Sequence, residues 1–482
     1  GAISPVKSLP SSEMLGIEDD RYIPRLRDLT KAVHSYGTKI AGQITPAYHF
    51  AKDASTPAEI VAPSEHFIPV VRTEARALTI DEIEQLVEDC AEGARRCRDA
   101  GFDAVEFHIG MGYLLNRFLS LATNKRTDKY GGSLENRMRI VLEVVDSTRK
   151  KVGGDYPVLC RFSAEEFMEG GLTINDWKEM APIVARGGVD VMNVQAGWHE
   201  CPVPLTQACV ARGAFVYLAS EIKKVVKTPV IAAYRINDPV LAEQILAEGK
   251  ADLVGMARAL IADPEFPNKA KENRLGEIRP CIACNYCLDG MMWGSNIPLA
   301  CTVNPKFGKE KESILKPAAE AKKIFVIGGG PAGMEAAMVA SARGHKVTLY
   351  DEGARLGGRL LVASLPPYKD ELKGLSQNLA NQVKKAGVDI KLNAKVDTQL
   401  ILESKPDAVI VAMGAEPYIP DIPGAGGQNV VTAIQALTGT KEIGNQVVIV
   451  GGGLVGCETA EFLAAKERKV TIVEMLGRIA DD

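Results

Sequence analysis

The chain has 482 residues, 46% of them hydrophobic and 24% charged, with a net charge of -4, the make-up of an ordinary globular protein with room for two or three domains. That balance gives no electrostatic footprint for nucleic acid or an anionic membrane, and no apolar run approaches the ~20 residues of a membrane span. The first residues show no secretory pattern, so a cytoplasmic protein is expected.

From Lys39 to Arg258 short β-branched runs alternate with longer amphipathic segments, the pattern of βα units around a parallel sheet. Strands are predicted at Lys39–Thr45, Ala104–His108, Val158–Ser163, Asp190–Gln195, Pro229–Tyr234 and Leu253–Arg258. Helices are predicted between them. Over Ile80–Ala100 the residues Ile83, Leu86, Val87 and Cys90 share a face, and over Asn136–Lys151 Ile140, Val141, Val144 and Val145 do. The fold class is α/β, a (β/α)8 TIM barrel. Six strands cannot close eight, so at least one strand and part of another are expected before Gly1.

Chemistry in such barrels gathers where the strands end. Gln43 ends the first predicted strand, His108 and Tyr113 follow the second, Arg161 ends the third and His199 follows the fourth. Arg235 and Arg258 close the last two. The short turn Gly255-Met-Ala-Arg258 lets backbone N–H groups approach a phosphate. Seven polar residues on one rim predict a site for a phosphorylated cofactor.

Cys281, Cys284 and Cys287 follow, two residues apart, and after thirteen more comes Cys301. Four thiolates in this pattern suit a cubane 4Fe-4S cluster. Zinc is the alternative, although structural zinc usually draws its ligands from two separated pairs. The other six cysteines read as buried thiols, with no disulfides expected.

Lys306–Lys322 is rich in Lys, Glu, Ala and Pro and reads as a linker with some helical content. Lys323–Ile327 is then a buried strand running into Gly328, Gly330, Ala332 and Gly333, with a helix over Met334–Arg343 and a strand over Lys346–Tyr350 that ends at Asp351. Glycines in this frame let the backbone reach a pyrophosphate at the helix N-terminus, and the acid takes ribose hydroxyls. The arrangement recurs with Gly451, Gly453 and Gly456, and Val470–Val473 leads to Glu474. Glu474 would repel a 2'-phosphate, which favours NADH over NADPH. A sheet begun this late needs further strands, so a C-terminal portion is expected to be missing. The predicted division is a barrel over 1–275, a cluster segment and linker over 276–322, the first part of an FAD domain over 323–440, and the start of an NAD domain over 441–482.

Asn116-Arg-Phe-Leu-Ser120, Thr127-Asp-Lys-Tyr-Gly-Gly-Ser-Leu-Glu-Asn-Arg137, Arg235-Ile-Asn237 and Gly255-Met-Ala-Arg258 resemble the flavin-binding barrel of the Old Yellow Enzyme family. Ala196-Gly-Trp-His-Glu200 is similar to a loop of its 2,4-dienoyl-CoA reductase branch. Leu356-Gly-Gly-Arg359 and Ala408–Gly414 look like motifs of the FAD domains in two-dinucleotide flavoproteins. The resemblance covers nearly the whole chain. It implies FMN with Gln43 and Arg161 at the ring, Arg235, Ala257 and Arg258 at the phosphate side, and Ala2 touching the flavin. By the same resemblance Arg359 belongs to the FAD site, and Tyr113 and His199 assist proton delivery, the histidine relaying near neutral pH.

What the resemblance implies is an oxidoreductase passing electrons from NADH to FAD, to 4Fe-4S, to FMN, and on to a C=C bond conjugated to a carbonyl. Its partner would be a small-molecule acyl-CoA or aryl-CoA thioester, with homo-oligomers in keeping. Departures exist. Met111 stands where many relatives carry a polar residue, and Pro46 where a histidine is common. The two-residue gap before Cys287 is closer to the trimethylamine dehydrogenase branch. An apolar Met111 suits a flatter acyl group, as in naphthoyl-CoA reductases. The rivals are an amine dehydrogenase, which needs an aromatic cage although the Trp198-His199 loop has few aromatics beside it, and a non-catalytic electron-transfer module.

Overall fold

The computed structural model describes residues 2–5, 15–50, 59–290 and 298–481. The chain divides into two compact units, the first built mainly on Gly1–Thr206 and Val210–Ala257, the second mainly on Arg258–Cys287 and Leu299–Asp482.

The first unit is organised on eight parallel strands of one sheet. In spatial order they are Leu253–Val254, Val230–Ala232, Val191–Gln195, Val158–Ser163, Ala104–His108, Ala41–Ile44, Ala2–Ser4 and Leu15–Gly16. The six predicted strands are present, most of them shorter at their ends. Helices Ile80–Asp99, Leu134–Val152 and Ile174–Arg186 lie along the chain between them, as a (β/α)8 barrel requires. Each helix starts at a defined cap. Thr79 and Glu82 form a capping box, Ser133 accepts from the Asn136 N–H, and Thr173 pairs likewise with Asp176.

The pleat sorts the strand side chains onto two faces. Val105, Phe107, Cys160, Phe162, Met192 and Val194 are buried in the hydrophobic core, and Phe162 stacks on Trp177 of the helix Ile174–Arg186 with ring centroids 3.8 Å apart. The alternate positions are polar. In register, Gln43 stands beside Glu106, His108 beside Arg161, Arg161 beside Asn193, and Ser163 beside Gln195. A second, small sheet was not anticipated. It joins His49–Phe50, Glu59–Ala62, Thr73–Ala77 and His66–Ile68, strands too short to show an alternating pattern. Ala47, Tyr48, Ala62, Ile68 and Ala75 form its core, with Tyr113 packed against them.

In the second unit the strands Asp389–Lys391, Lys346–Tyr350, Lys323–Ile327 and Ala408–Val411 make a parallel sheet in that order, with the helix Pro331–Ala342 following the central strand. Gln446–Val450 and Lys469–Val473 pair in parallel around the helix Leu454–Ala464. This is the Rossmann-like construction predicted, made twice. Residues 306–322 correct the expectation of helical content: they run in turns, bends and extended chain. Pro317 breaks the run, and its Lys and Glu side chains have no apolar stripe to bury. Among the described residues no helix is long and apolar enough to cross a membrane.

Candidate active site

The polar face of the first unit's sheet is cross-linked. Gln43 Nε2 donates to Glu106 Oε1 at 2.6 Å, Asn193 Nδ2 donates to Glu106 Oε2 at 2.8 Å, and Arg161 Nε donates to Gln195 Oε1 at 2.7 Å. Buried Glu106 is thereby satisfied. Asn193 Oδ1 is a buried acceptor without a hydrogen-bond partner, so this face can still take a donor from a bound group. Ala2 lies in register with Gln43. After the strand Val230–Ala232, Tyr234 and Arg235 hold φ of 76° and 53°, a left-handed pair of non-glycine residues that only a firmly determined turn sustains. Buried Arg235 donates through Nε to Val210 O at 2.8 Å. Ala257 is exposed. These features fit an FMN site.

Two loops meet above this face. Met111 forms a bridge with Trp198, and the His199 N–H donates to Met111 O at 3.3 Å. The contact requires glycines on both sides. Gly112 has φ of 80°, and a Cβ there would lie 2.5 Å from the Trp198 ring; Gly197 has φ of 81°, and its Cβ would lie 2.2 Å from Leu205. Tyr113 and His199 are thereby brought together, ring centroids 4.9 Å apart and edge to face, with His108 at the same distance on another side of Tyr113.

Burial raises the Tyr113 pKa, so the phenol keeps its proton. The expectation of a His199 titrating near neutral pH gives way: burial first, and the charge of Arg117 second, bring it down to about 4. Burial likewise holds His108 well below the ordinary histidine value. Both imidazoles are neutral at pH 7. The expectation of few aromatics beside the Trp198-His199 loop is also corrected. Tyr48 donates to or accepts from His199 Nδ1 at 2.8 Å, and its ring centroid lies 5.5 Å from that of Tyr113. Tyr48 carried no signal in the sequence, because its partners are 65 and more residues away.

In the second unit Cys281, Cys284, Cys287 and Cys301 line one cavity with Arg258 and Thr302. None of the four is in a disulfide. Arg258, expected at a phosphate, donates through Nη1 to Asn285 Oδ1 at 2.6 Å. Burial raises Cys281 and Cys287, and the Arg258 charge opposes it. Ala283 and Asn285 hold left-handed φ of 53° and 62°, which wraps the loop around the cavity. Among the described residues no group of three or more His, Cys, Asp or Glu could hold a single metal ion.

Both glycine turns are built alike. Gly329 N–H donates to Asp351 Oδ2 at 2.6 Å, and Gly452 N–H donates to Glu474 Oε2 at 2.6 Å. A Cβ on Gly333 would fall 1.8 Å from Gly328 O, and one on Gly456 1.9 Å from Gly451 O, so each helix can press on its turn only as glycine. Gly330 and Gly453 are the helix N-caps. A Cβ on Gly330 would meet nothing within 4 Å, and Ala332 is exposed in the first turn beside it; the open space over this helix end fits a dinucleotide pyrophosphate. Arg359 pairs with Glu416 at 3.0 Å on the surface.

Residues 2–277 match the NADH:flavin oxidoreductase / NADH oxidase family, and residues 322–482 match the pyridine nucleotide-disulphide oxidoreductases. The chain is 46% identical over 480 residues to an NADH oxidase of Thermoanaerobacter brockii, covering 97% of this chain and 73% of that one. It is 44% identical over 456 residues to a metal reductase of Desulforamulus reducens, covering 94% and 68%. The solved complex of a 2-naphthoyl-CoA reductase with 2-naphthoyl-CoA superposes with a TM-score of 0.93 at 33% identity, over 97% of this chain and 74% of that one. With an FMN-type barrel followed by a pyridine-nucleotide oxidoreductase region, the protein is an oxidoreductase and belongs to the NADH:flavin oxidoreductase / NADH oxidase family.

Proposed function

We propose that this protein is an NADH-dependent reductase of a C=C bond conjugated to a carbonyl, acting on an acyl-CoA or aryl-CoA thioester in a reducing cytoplasm. The observation that carries the proposal is the Tyr113–His199 pair, two neutral side chains held 4.9 Å apart at the strand ends of a polar barrel face. When bound, FMN supplies hydride, FAD takes one from NADH, and a 4Fe-4S cluster handles single electrons between the two flavins.

Reducing such a bond throws negative charge onto the carbonyl oxygen and calls for a proton on carbon. Tyr113 keeps its proton at pH 7 and is the acid. Neutral His199 adds a hydrogen-bond donor without introducing a charge that must be desolvated. Gln43 and Arg161 are assigned to the flavin ring, with Ala2 beside it, and Arg235 and Ala257 to its phosphate side. Arg258 is assigned to that phosphate side as well; it also lines the cavity of the four cysteines, where its charge opposes the rise that burial causes in Cys281 and Cys287. Gly328, Gly330, Ala332, Gly333, Asp351 and Arg359 are assigned to FAD, and Gly451, Gly453, Gly456 and Glu474 to NADH. The division at 275, 322 and 440 is kept with these assignments.

For the cysteines, a cluster is favoured over zinc because Cys281, Cys284 and Cys287 fall within one short loop, whereas structural zinc usually draws its ligands from two separated pairs. The four cysteines line one cavity. Partly buried Met111, its sulfur accepting from Tyr234 Oη at 3.0 Å, gives the pocket an apolar element, and the likeness to the naphthoyl-CoA complex supports an aryl acyl group. An amine dehydrogenase is disfavoured. Its alkylammonium would need open aromatic faces, whereas the Arg117 guanidinium already lies 5.3 Å from the Tyr48 centroid and 5.0 Å from that of Trp198.

The test is anaerobic reduction of the full-length holoprotein by NADH, then rapid mixing with 2-naphthoyl-CoA or a 2,4-dienoyl-CoA while the flavin spectrum is followed. Fast reoxidation by one thioester is expected. Reoxidation by neither, with reduction of the oxidised protein by trimethylamine, would reverse the electron flow and overturn the proposal.

A further inference from the structure

The segment that carries Cys301 is pinned just beyond that residue. Buried Val303 packs in the second unit's core, and its carbonyl accepts from Arg279 Nη1. Asn304, also buried, donates through Nδ2 to Ile261 O at 2.7 Å. Arg279 is itself held, its backbone N–H donating to Oδ2 of buried Asp263 at 2.8 Å and its Nη2 to Glu335 Oε2 at 3.2 Å. Thr302 stands between Cys301 and these anchors, lines the cavity of the four cysteines, and brings its Oγ1 to 3.1 Å from Cys284 Sγ. Cys284 is the most exposed of the four, where a fixed hydroxyl can stand in for a mobile water.

We infer that the Thr302 hydroxyl is a hydrogen-bond donor to Cys284 that raises the reduction potential of the cluster these cysteines would hold. Between a thiol and a hydroxyl either atom can donate. A cysteine that ligates iron is a thiolate and has lost its proton, so Thr302, which has one, is the only donor left in the pair. One electron entering such a cluster makes its sulfurs more negative, with no bond made or broken. A donor to a sulfur therefore favours the reduced form. Thr302 touches no substrate and acts through Cys284. This role rests on the proposed cluster and is independent of the choice of thioester.

The experiment uses full-length holoprotein, with iron and acid-labile sulfide measured and the cluster titrated potentiometrically by EPR. In T302V the one-electron reduction equilibrium is expected to fall about two- to tenfold, ~59 mV at the upper end, the effect of losing one neutral hydrogen bond. T302S, which keeps the hydroxyl, should stay at the wild-type potential, and the flavin potentials should not move. If T302V loses its iron, T302A takes its place with the same fall expected. A wild-type potential in either variant with iron retained, or a T302S potential as low as that of T302V, overturns the inference. Loss of iron from both T302V and T302A makes Thr302 a structural residue and also overturns it. No iron or sulfide in the wild-type protein removes the cluster and the inference with it. A potential that falls in T302V, in a protein that no thioester reoxidises, supports the inference while removing the reductase function.

Discussion

Burial of His199 and the charge of Arg117 act in the same direction on one imidazole, and their shares can be separated. The pKa falls from an ordinary 6.5 to about 4, which at ~1.36 kcal/mol per unit is on the order of 3 kcal/mol against the protonated form. Burial is the larger cause and Arg117 the second, so removing the charge should return less than half of the fall. Arg117 and Glu200 should be replaced together, as R117M/E200Q, because breaking a buried pair from one side costs about 3–5 kcal/mol. In that double variant His199 is expected to titrate between about 4 and about 5. An NMR titration of the histidine ring protons, with H199Q to identify the signal, gives the midpoint. A midpoint near 6.5 would refute burial as the main cause, and one unmoved from about 4 would remove Arg117 from the account. The folded pKa is depressed, so the unfolded chain binds the extra proton between pH 6.5 and 4. Stability from this group is fully present above pH 6.5 and is lost as the pH falls through that window.

Buried Glu166 has the opposite slope. Desolvation raises it to about 7 although Asn116, Ser120 and the Leu172 N–H all donate to it; its contribution is present below pH 4.5 and lost as the pH rises to 7, so the stability difference between wild type and E166Q should shrink or reverse over that range in thermal unfolding. Tyr113→Phe should slow flavin reoxidation by thioester about 100-fold or more in stopped-flow, the range for losing a positioned acid, and an unaltered rate would move the acid elsewhere. Gly112→Ala places a Cβ 2.5 Å from Trp198 at φ 80°, and should cost about 1–3 kcal/mol in holoprotein stability while slowing the same reoxidation step. Cys301→Ala should abolish bound iron and acid-labile sulfide in elemental analysis. Stoichiometric zinc in the wild-type protein would sink the cluster assignment.

Much of the fold was legible because it rests on local rules. Alternating apolar runs and amphipathic segments mark βα units, and the glycine turns are marked by Gly328 and Gly451, at φ of 109° and 108°, and by Gly333 and Gly456, where only glycine lets a helix press on its turn. The cysteine spacing is local too, and so are the capping residues Thr79 and Thr173. What the tertiary structure alone decided is who stands next to whom. The small sheet between residues 49 and 77 has strands of two to five residues, below the length at which periodicity can be read. Its placement brings Tyr48 to His199, 151 positions away, and Arg117 to Glu200 and His66. That Arg258 lines the cysteine cavity and donates to Asn285 was out of reach too, because a side chain's neighbours are chosen by packing and charge and its place after a strand does not name them. The His199 pKa was likewise out of reach of the sequence, since desolvation and a neighbouring cation are properties of the folded surroundings and not of the residue.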